Sequence, residues 1–104
     1  MSIEVLKGHA DLLVLAAVSE EPAHGYAIVE TIRARSAGAF DLAEGTIYPA
    51  LYRLERHGLL QSTWADGGRR RRRVYRLTRR GRAALARERS EWEGYVTAMN
   101  AALA

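Results

Sequence analysis

Apolar residues recur at helical spacing through the first half of the chain and at alternate positions just after it. From Lys7 to Ser19, the residues Leu12, Leu15, Ala16 and Val18 lay a broad apolar face on a first helix. Glu20, Glu21 and Pro22 end it, because proline lacks the ladder N–H and biases its predecessor away from helix. Tyr26, Val29 and Ile32, with Ile28 beside them, predict a second helix from Gly25 to Ser36 that Ala37 and Gly38 stop. A third helix spans Glu44 to His57, with Gly58 as its C′ residue and Ile47, Leu51 and Leu54 as its inward stripe. Asp41 and Glu44 have the spacing of a capping box that would start it early, Ala43 being the rival start and a poor cap. Pro49 removes the N–H that would bond to the Gly45 carbonyl, which predicts a distorted first turn.

The period then changes to two. Leu59 to Ala65 and Val74 to Thr78 read as strands, with Tyr75 and Leu77 on one face and Val74 and Arg76 on the other. Tyr75 therefore reads as core and Trp64 as a packing residue. Asp66, Gly67, Gly68 and the arginines between the strands exceed a two-residue hairpin turn and predict a flexible, projecting loop. Thr78 caps a final helix that runs to about Ala102, roughly 36 Å at 1.5 Å per residue. Helix, helix, helix, hairpin, helix is the layout of a winged helix-turn-helix, a mostly α fold with a β-hairpin wing. The expected division is a winged-helix DNA-binding domain over residues 1–78 and a long C-terminal dimerisation helix over residues 79–104.

Charge sharpens this picture. Arg69 to Arg82 holds nine of the sixteen basic residues and no acid, whereas the rest of the chain has seven basic and twelve acidic side chains. A mildly acidic protein with one basic patch, centred on Arg69, Arg70, Arg71, Arg72 and Arg73 at a hairpin tip, suits a polyanion. The competing reading is a solvated arginine loop. The absence of cysteine excludes a disulfide scaffold and a thiolate metal site, and with no signal-peptide pattern it fits a cytoplasmic protein. No apolar run approaches membrane-spanning length, so no membrane partner is expected.

Four segments resemble the PadR-like transcriptional regulators. They are Leu6-Lys7-Gly8 with the apolar first helix, His24 to Ile28, Gly45 to Glu55 with Gly58-Leu59-Leu60, and Gly68-Arg69-Arg70 through Val74 to Thr78 and Gly81. Together they cover about residues 6 to 85, and the short tail resembles the subgroup with a single C-terminal helix. Ala43 replaces the small polar residue often found before the family's recognition helix, and the wing is more basic than usual. The resemblance implies a dimeric, sequence-specific DNA-binding repressor, often relieved by a small aromatic effector.

On that layout the third helix is the recognition helix. Its side away from the core offers Thr46, Tyr48, Tyr52, Arg53 and Arg56 to phosphates or base edges in a major groove. Tyr48 has the alternative of packing against the second helix, and the arginines suit guanine or phosphate equally. Wing arginines follow a phosphate backbone or enter a narrow minor groove. In the last helix Leu85, Trp92 and Met99 repeat every seven residues, with Val96 and Leu103 at the second seam position and Arg89 interrupting it. Such a stripe either folds back on its own core or joins a two-fold homodimer, the reading taken here. Trp92 would then lie near its symmetry mate, a surface on which a planar effector can stack. An enzyme is the least supported class: His9, His24 and His57 lack metal-ligand spacing, and Gly67-Gly68 lacks the ending of a phosphate loop. No cofactor or metal is expected. The alternatives to a DNA-binding regulator are an RNA-binding winged helix and a protein-interaction module.

Overall fold

The most apolar stretch of the chain becomes its most buried element. The computed structural model describes residues 8–67 and 70–104, with elements in the order α1 (Ala10–Glu20), β1 (Ala23–His24), α2 (Gly25–Arg35), α3 (Glu44–Arg56), β2 (Leu60–Gly67), β3 (Arg70–Leu77) and α4 (Arg79–Leu103). α1 buries Ala10, Val14, Leu15, Ala17 and Val18 and is packed by α2, α3, α4 and β3. Lys7, where the sequence pattern begins this helix, lies outside the described residues. Ile28 and Ile32 of α2, Ile47, Ala50, Leu51 and Leu54 of α3, and Leu60, Tyr75 and Leu77 of the hairpin close one core around it.

α3 begins after Ala43, with no side-chain cap, so the capping box from Asp41 does not form. Burial explains the choice. Leu42, just before the cap, and Ile47, four residues after it, both sit in the core, which is the placement of a hydrophobic staple. The helix continues through Pro49, and its first turn is tightened by an added Thr46 N–H to Ala43 carbonyl bond of 2.9 Å. Gly58, at φ +76°, ends it, with Leu59 N–H reaching back to the Leu54 carbonyl at 2.9 Å.

The sheet departs from expectation in two ways. β1 is a two-residue strand that the sequence pattern did not reveal; Ala23 and His24 pair with Tyr75 and Val74, so the sheet order is β1-β3-β2. The arginines also do not form a loose loop. The β2–β3 ladder runs from Leu60 opposite Leu77 out to Gly67 opposite Arg70, making Arg70 to Arg73 strand residues. Their backbone amides are matched by a long β2 that has no proline, and the guanidinium groups of Arg71 and Arg73 lie over Trp64.

The hairpin returns directly into α4. Thr78 Oγ1 accepts the Gly81 N–H at 3.0 Å and donates to the Gly58 carbonyl at 2.6 Å, which ties this helix start to the end of α3. At Gly81 any Cβ would collide with the Leu59 carbonyl, so α4 crosses the chain there at backbone contact. Of its 25 residues only Gly81, Ala84 and Leu85 are buried. The rest extends beyond the core in a molecule measuring 54 × 28 × 20 Å.

Candidate nucleic-acid interface

The exposed side of α3 is not one surface but two flanks. At about 100° per residue, Tyr48 and Arg53 lie roughly 140° apart around the axis. Tyr48 and Tyr52 turn toward the wing, whereas Thr46 and Arg53 turn toward α1, leaving Arg56 on the outermost line between them. All five residues lie on the side away from the buried Ile47, Ala50, Leu51 and Leu54, as expected, but spread across both flanks of it. Arg53 Nη2 is held by Asp11 Oδ1 of α1 at 2.8 Å. Of the two roles the sequence left open for Tyr48, the packing one is present: its ring lies over Gly25 at the start of α2, and it remains about half exposed.

The wing supplies the facing wall. Strand alternation puts Arg71 and Arg73 on the same face as Tyr75 and Leu77. Their guanidinium carbons sit 5.1 and 5.0 Å from the ring centre of Trp64, which is 54% exposed and thus an arginine platform, not the packing residue expected. Arg73 Nε donates to Ser62 Oγ at 2.7 Å, and Ser62 Oγ donates to Glu55 Oε2 of α3 at 2.6 Å, so the wing is latched to the helix it faces. Arg72 points to the other face of β3, where its Nη1 lies 2.9 Å from His24 Nε2. Arg69 lies outside the described residues, and of Arg70 only the backbone is described.

Between wing and helices runs a groove of about 510 Å³ bounded by His24, Tyr26, Tyr48, Arg71, Arg72 and Arg73. A second recess of about 350 Å³ lies beside Tyr52, Arg56 and Arg73, with the Arg56 guanidinium 5.7 Å from the Tyr52 ring centre. Beneath both, burial pushes the Tyr75 hydroxyl above its ordinary acidity range; Glu55 adds to the shift and Arg73 opposes it. It therefore stays protonated at the floor of a cationic groove. His24, Tyr26 and Trp64 were not read from the sequence as parts of this surface. A signal existed for Trp64, because the period of two through Tyr75 carries Arg73 and Arg71 onto the inner face.

The second candidate surface is on α4. Leu85 is only 6% exposed and belongs to the core, so it is corrected from the partner-facing stripe; the helix is still docked at its second turn. Trp92, Met99 and Leu103 are exposed and Val96 is partly so. Tyr95, absent from the heptad reading, stacks on Trp92 at 5.7 Å, and His9 meets the same ring edge-on at 4.9 Å. These rings line a cleft of about 480 Å³ with Asp11, Glu88 and Glu91 around it. Among the described residues no cluster of acidic, histidine or cysteine side chains could hold a metal, and no helix is long and apolar enough to cross a membrane.

Comparison with known proteins agrees with this geometry. The profile of the transcriptional regulator PadR-like family matches residues 14–87. A transcriptional regulator from Clostridium thermocellum is 31% identical and superposes with a TM-score of 0.86, covering 96% of this chain and 95% of its own. A PadR family transcriptional regulator from Eggerthella lenta is 33% identical with a TM-score of 0.82, covering 97% and 87% of the two chains. A transcriptional regulator of Mycobacterium tuberculosis is 38% identical over 82 residues, 79% of this chain and 74% of its own length.

Proposed function

Since the chain belongs to the PadR-like family of transcriptional regulators, we propose that it is a cytoplasmic repressor that binds an inverted-repeat operator in double-stranded DNA as a homodimer. The family consists of regulators, not enzymes, and DNA is its ligand. The observation that carries the finer reading is the groove in which the outward side of α3 faces a wing whose arginines are held by Trp64. In this reading residues 1–78 grip DNA and residues 79–104 pair two copies. α3 enters the major groove with Tyr48, Tyr52 and Arg56 leading, and Thr46 and Arg53 touch its α1-side rim. The wing arginines, Arg69 and Arg70 included, neutralise phosphates.

Trp92, Val96, Met99 and Leu103 form the two-fold seam, because an exposed Trp-centred stripe on the part of the helix beyond its docked first turns gains most burial against a partner. A planar aromatic effector, stacking on Trp92 at that seam, would alter the spacing of the two α3 helices and so release the operator. Selection of bound duplexes from a random pool, with RNA as competitor and sedimentation of the complex, tests the whole reading. The expected result is a dyad-symmetric site with half-sites about 34–36 Å apart, or a multiple of that, occupied by two chains. A best ligand that is RNA, a site with no dyad, or one chain per site overturns it.

A further inference from the structure

His24 carries two contacts that a single imidazole cannot make together. Its Nδ1 accepts the Ala27 backbone N–H at 3.3 Å, which caps α2. Its Nε2 lies 2.9 Å from Arg72 Nη1. Arginine only donates, and so does a backbone N–H. A neutral imidazole has one acceptor nitrogen and an imidazolium has none, so the two donors compete for one lone pair. With the lone pair on Nδ1, the cap forms and Nε2–H confronts Arg72 Nη1–H, two donors with no acceptor between them. With the lone pair on Nε2, Arg72 is satisfied and the Ala27 amide loses its cap.

The fold places the two residues together deliberately close. His24 pairs with Val74 across β1 and β3, and Arg72 is the next residue on that same face of β3, the diagonal neighbour of His24. Arg71 and Arg73 are on the opposite face with Trp64. Tyr26, 68% exposed, lies nearly parallel to the His24 ring at 6.4 Å, and Glu44 is the one carboxylate on the groove wall. The group that resolves the competition is an anionic acceptor for both Nε2–H and the guanidinium.

We propose that His24 and Arg72 together clamp one phosphodiester of the bound duplex. This rests on the DNA-binding reading and specifies one of its contacts. In the free protein each of the two neutral tautomers satisfies one donor and leaves the other without its acceptor. In the complex a non-bridging phosphate oxygen accepts from His24 Nε2–H and Arg72 Nη1–H, and Nδ1 is committed to the Ala27 cap. DNA binding thus fixes one tautomer and tightens the start of α2, the helix against which Tyr48 of α3 packs.

The full chain, with its histidines labelled by ¹⁵N, reports the tautomer directly by long-range proton–nitrogen correlation at neutral pH, free and bound to duplex. The expected bound state has Nε2 protonated and Nδ1 unprotonated; a bound ring protonated on Nδ1 overturns the clamp. His24→Asn keeps a good cap acceptor but lacks the second donor. Its melting should match the parent, while its affinity falls about tenfold or more, on operator and random duplex alike. Arg72→Gln should do the same, and the double variant should lose little beyond either single one. Replacing single phosphates with neutral methylphosphonates should find one position per half-site that weakens the parent but not His24→Asn. If the parent binds no duplex, the DNA-binding reading itself fails. If the parent binds and His24→Asn binds as tightly, only the clamp fails.

Discussion

Asp11→Asn should strengthen DNA binding. Arg53, on the α1-side flank of α3, is held at 2.8 Å by Asp11, with the two side chains 49% and 41% exposed. A pair so wet is worth at most about 1 kcal/mol to folding, since solvent screens it and ordering two side chains offsets much of the attraction. Its loss should therefore lower the melting temperature by no more than about 8 °C. On DNA the balance is reversed. Phosphates then compete with Asp11 for the guanidinium, and the carboxylate opposes their approach. Releasing Arg53 should raise affinity by up to about fivefold, the same 1 kcal/mol read as an equilibrium constant. Anisotropy titrations of operator and random duplex at several salt concentrations measure the gain, and thermal unfolding supplies the control. In an Arg53→Ala background the gain should vanish, because the substitution acts through that side chain. Weaker binding by Asp11→Asn would refute this reasoning and show that the ion pair holds Arg53 in its working position.

Three further outcomes are expected. Trp64→Ala should weaken operator and random DNA by similar factors, as Arg71 and Arg73 lose the ring that orders them; the same titrations check this, and a loss confined to the operator would assign the ring to sequence reading. Gly81→Ala should destabilise the fold by more than about 3 kcal/mol in denaturant titration, because its Cβ has no space beside the Leu59 carbonyl. Stability above pH 10 should fall less steeply in Tyr75→Phe than in the parent: the folded hydroxyl has a pKa above the ordinary 10.0, so the unfolded chain loses its proton first and is favoured as pH rises.

α3 was legible because Ile47, Leu51 and Leu54 recur at the period its burial matches. In α1 and α2 the match is partial, Leu15, Val18, Ile28 and Ile32 being buried while Tyr26, expected on the inward stripe, is exposed. Thr78 and Gly58 announced their helix ends by chemistry that only a cap or a left-handed turn requires. What stayed hidden depended on partners far along the chain. Nothing near Ala23 and His24 marks a strand; they become one because β3 offers an open edge fifty residues later. Arg70 to Arg73 looked like a loop by composition, yet the ladder partners on β2 decided otherwise. Asp41 lost the helix start to Leu42, whose burial outweighs a cap. On α3 the residue types and the outward side were legible, while the spread of Tyr48 and Arg53 onto different neighbours, the wing and α1, depended on packing the sequence pattern does not carry. Leu85 fitted a heptad perfectly well and still belongs to the core, because a helix stripe does not reveal which of its turns is docked.

The undocked length of α4 has a consequence for how this chain opens and closes. Its radius of gyration is 14.6 Å, against about 13 Å for a compact chain of this length, and the turns of α4 after its last buried residue, Leu85, contribute to the excess. Those turns rest on their own backbone bonds and on the His9 and Tyr95 contacts of Trp92. A helical segment that short is marginal in water by itself. Amide hydrogens from about Glu91 to Leu103 should therefore exchange far sooner than those of α1, through local fraying that leaves the core intact. Their protection should rise with protein concentration, while that of α1 should not, which separates the molecule into a part whose order is its own and a part whose order is lent by mass action.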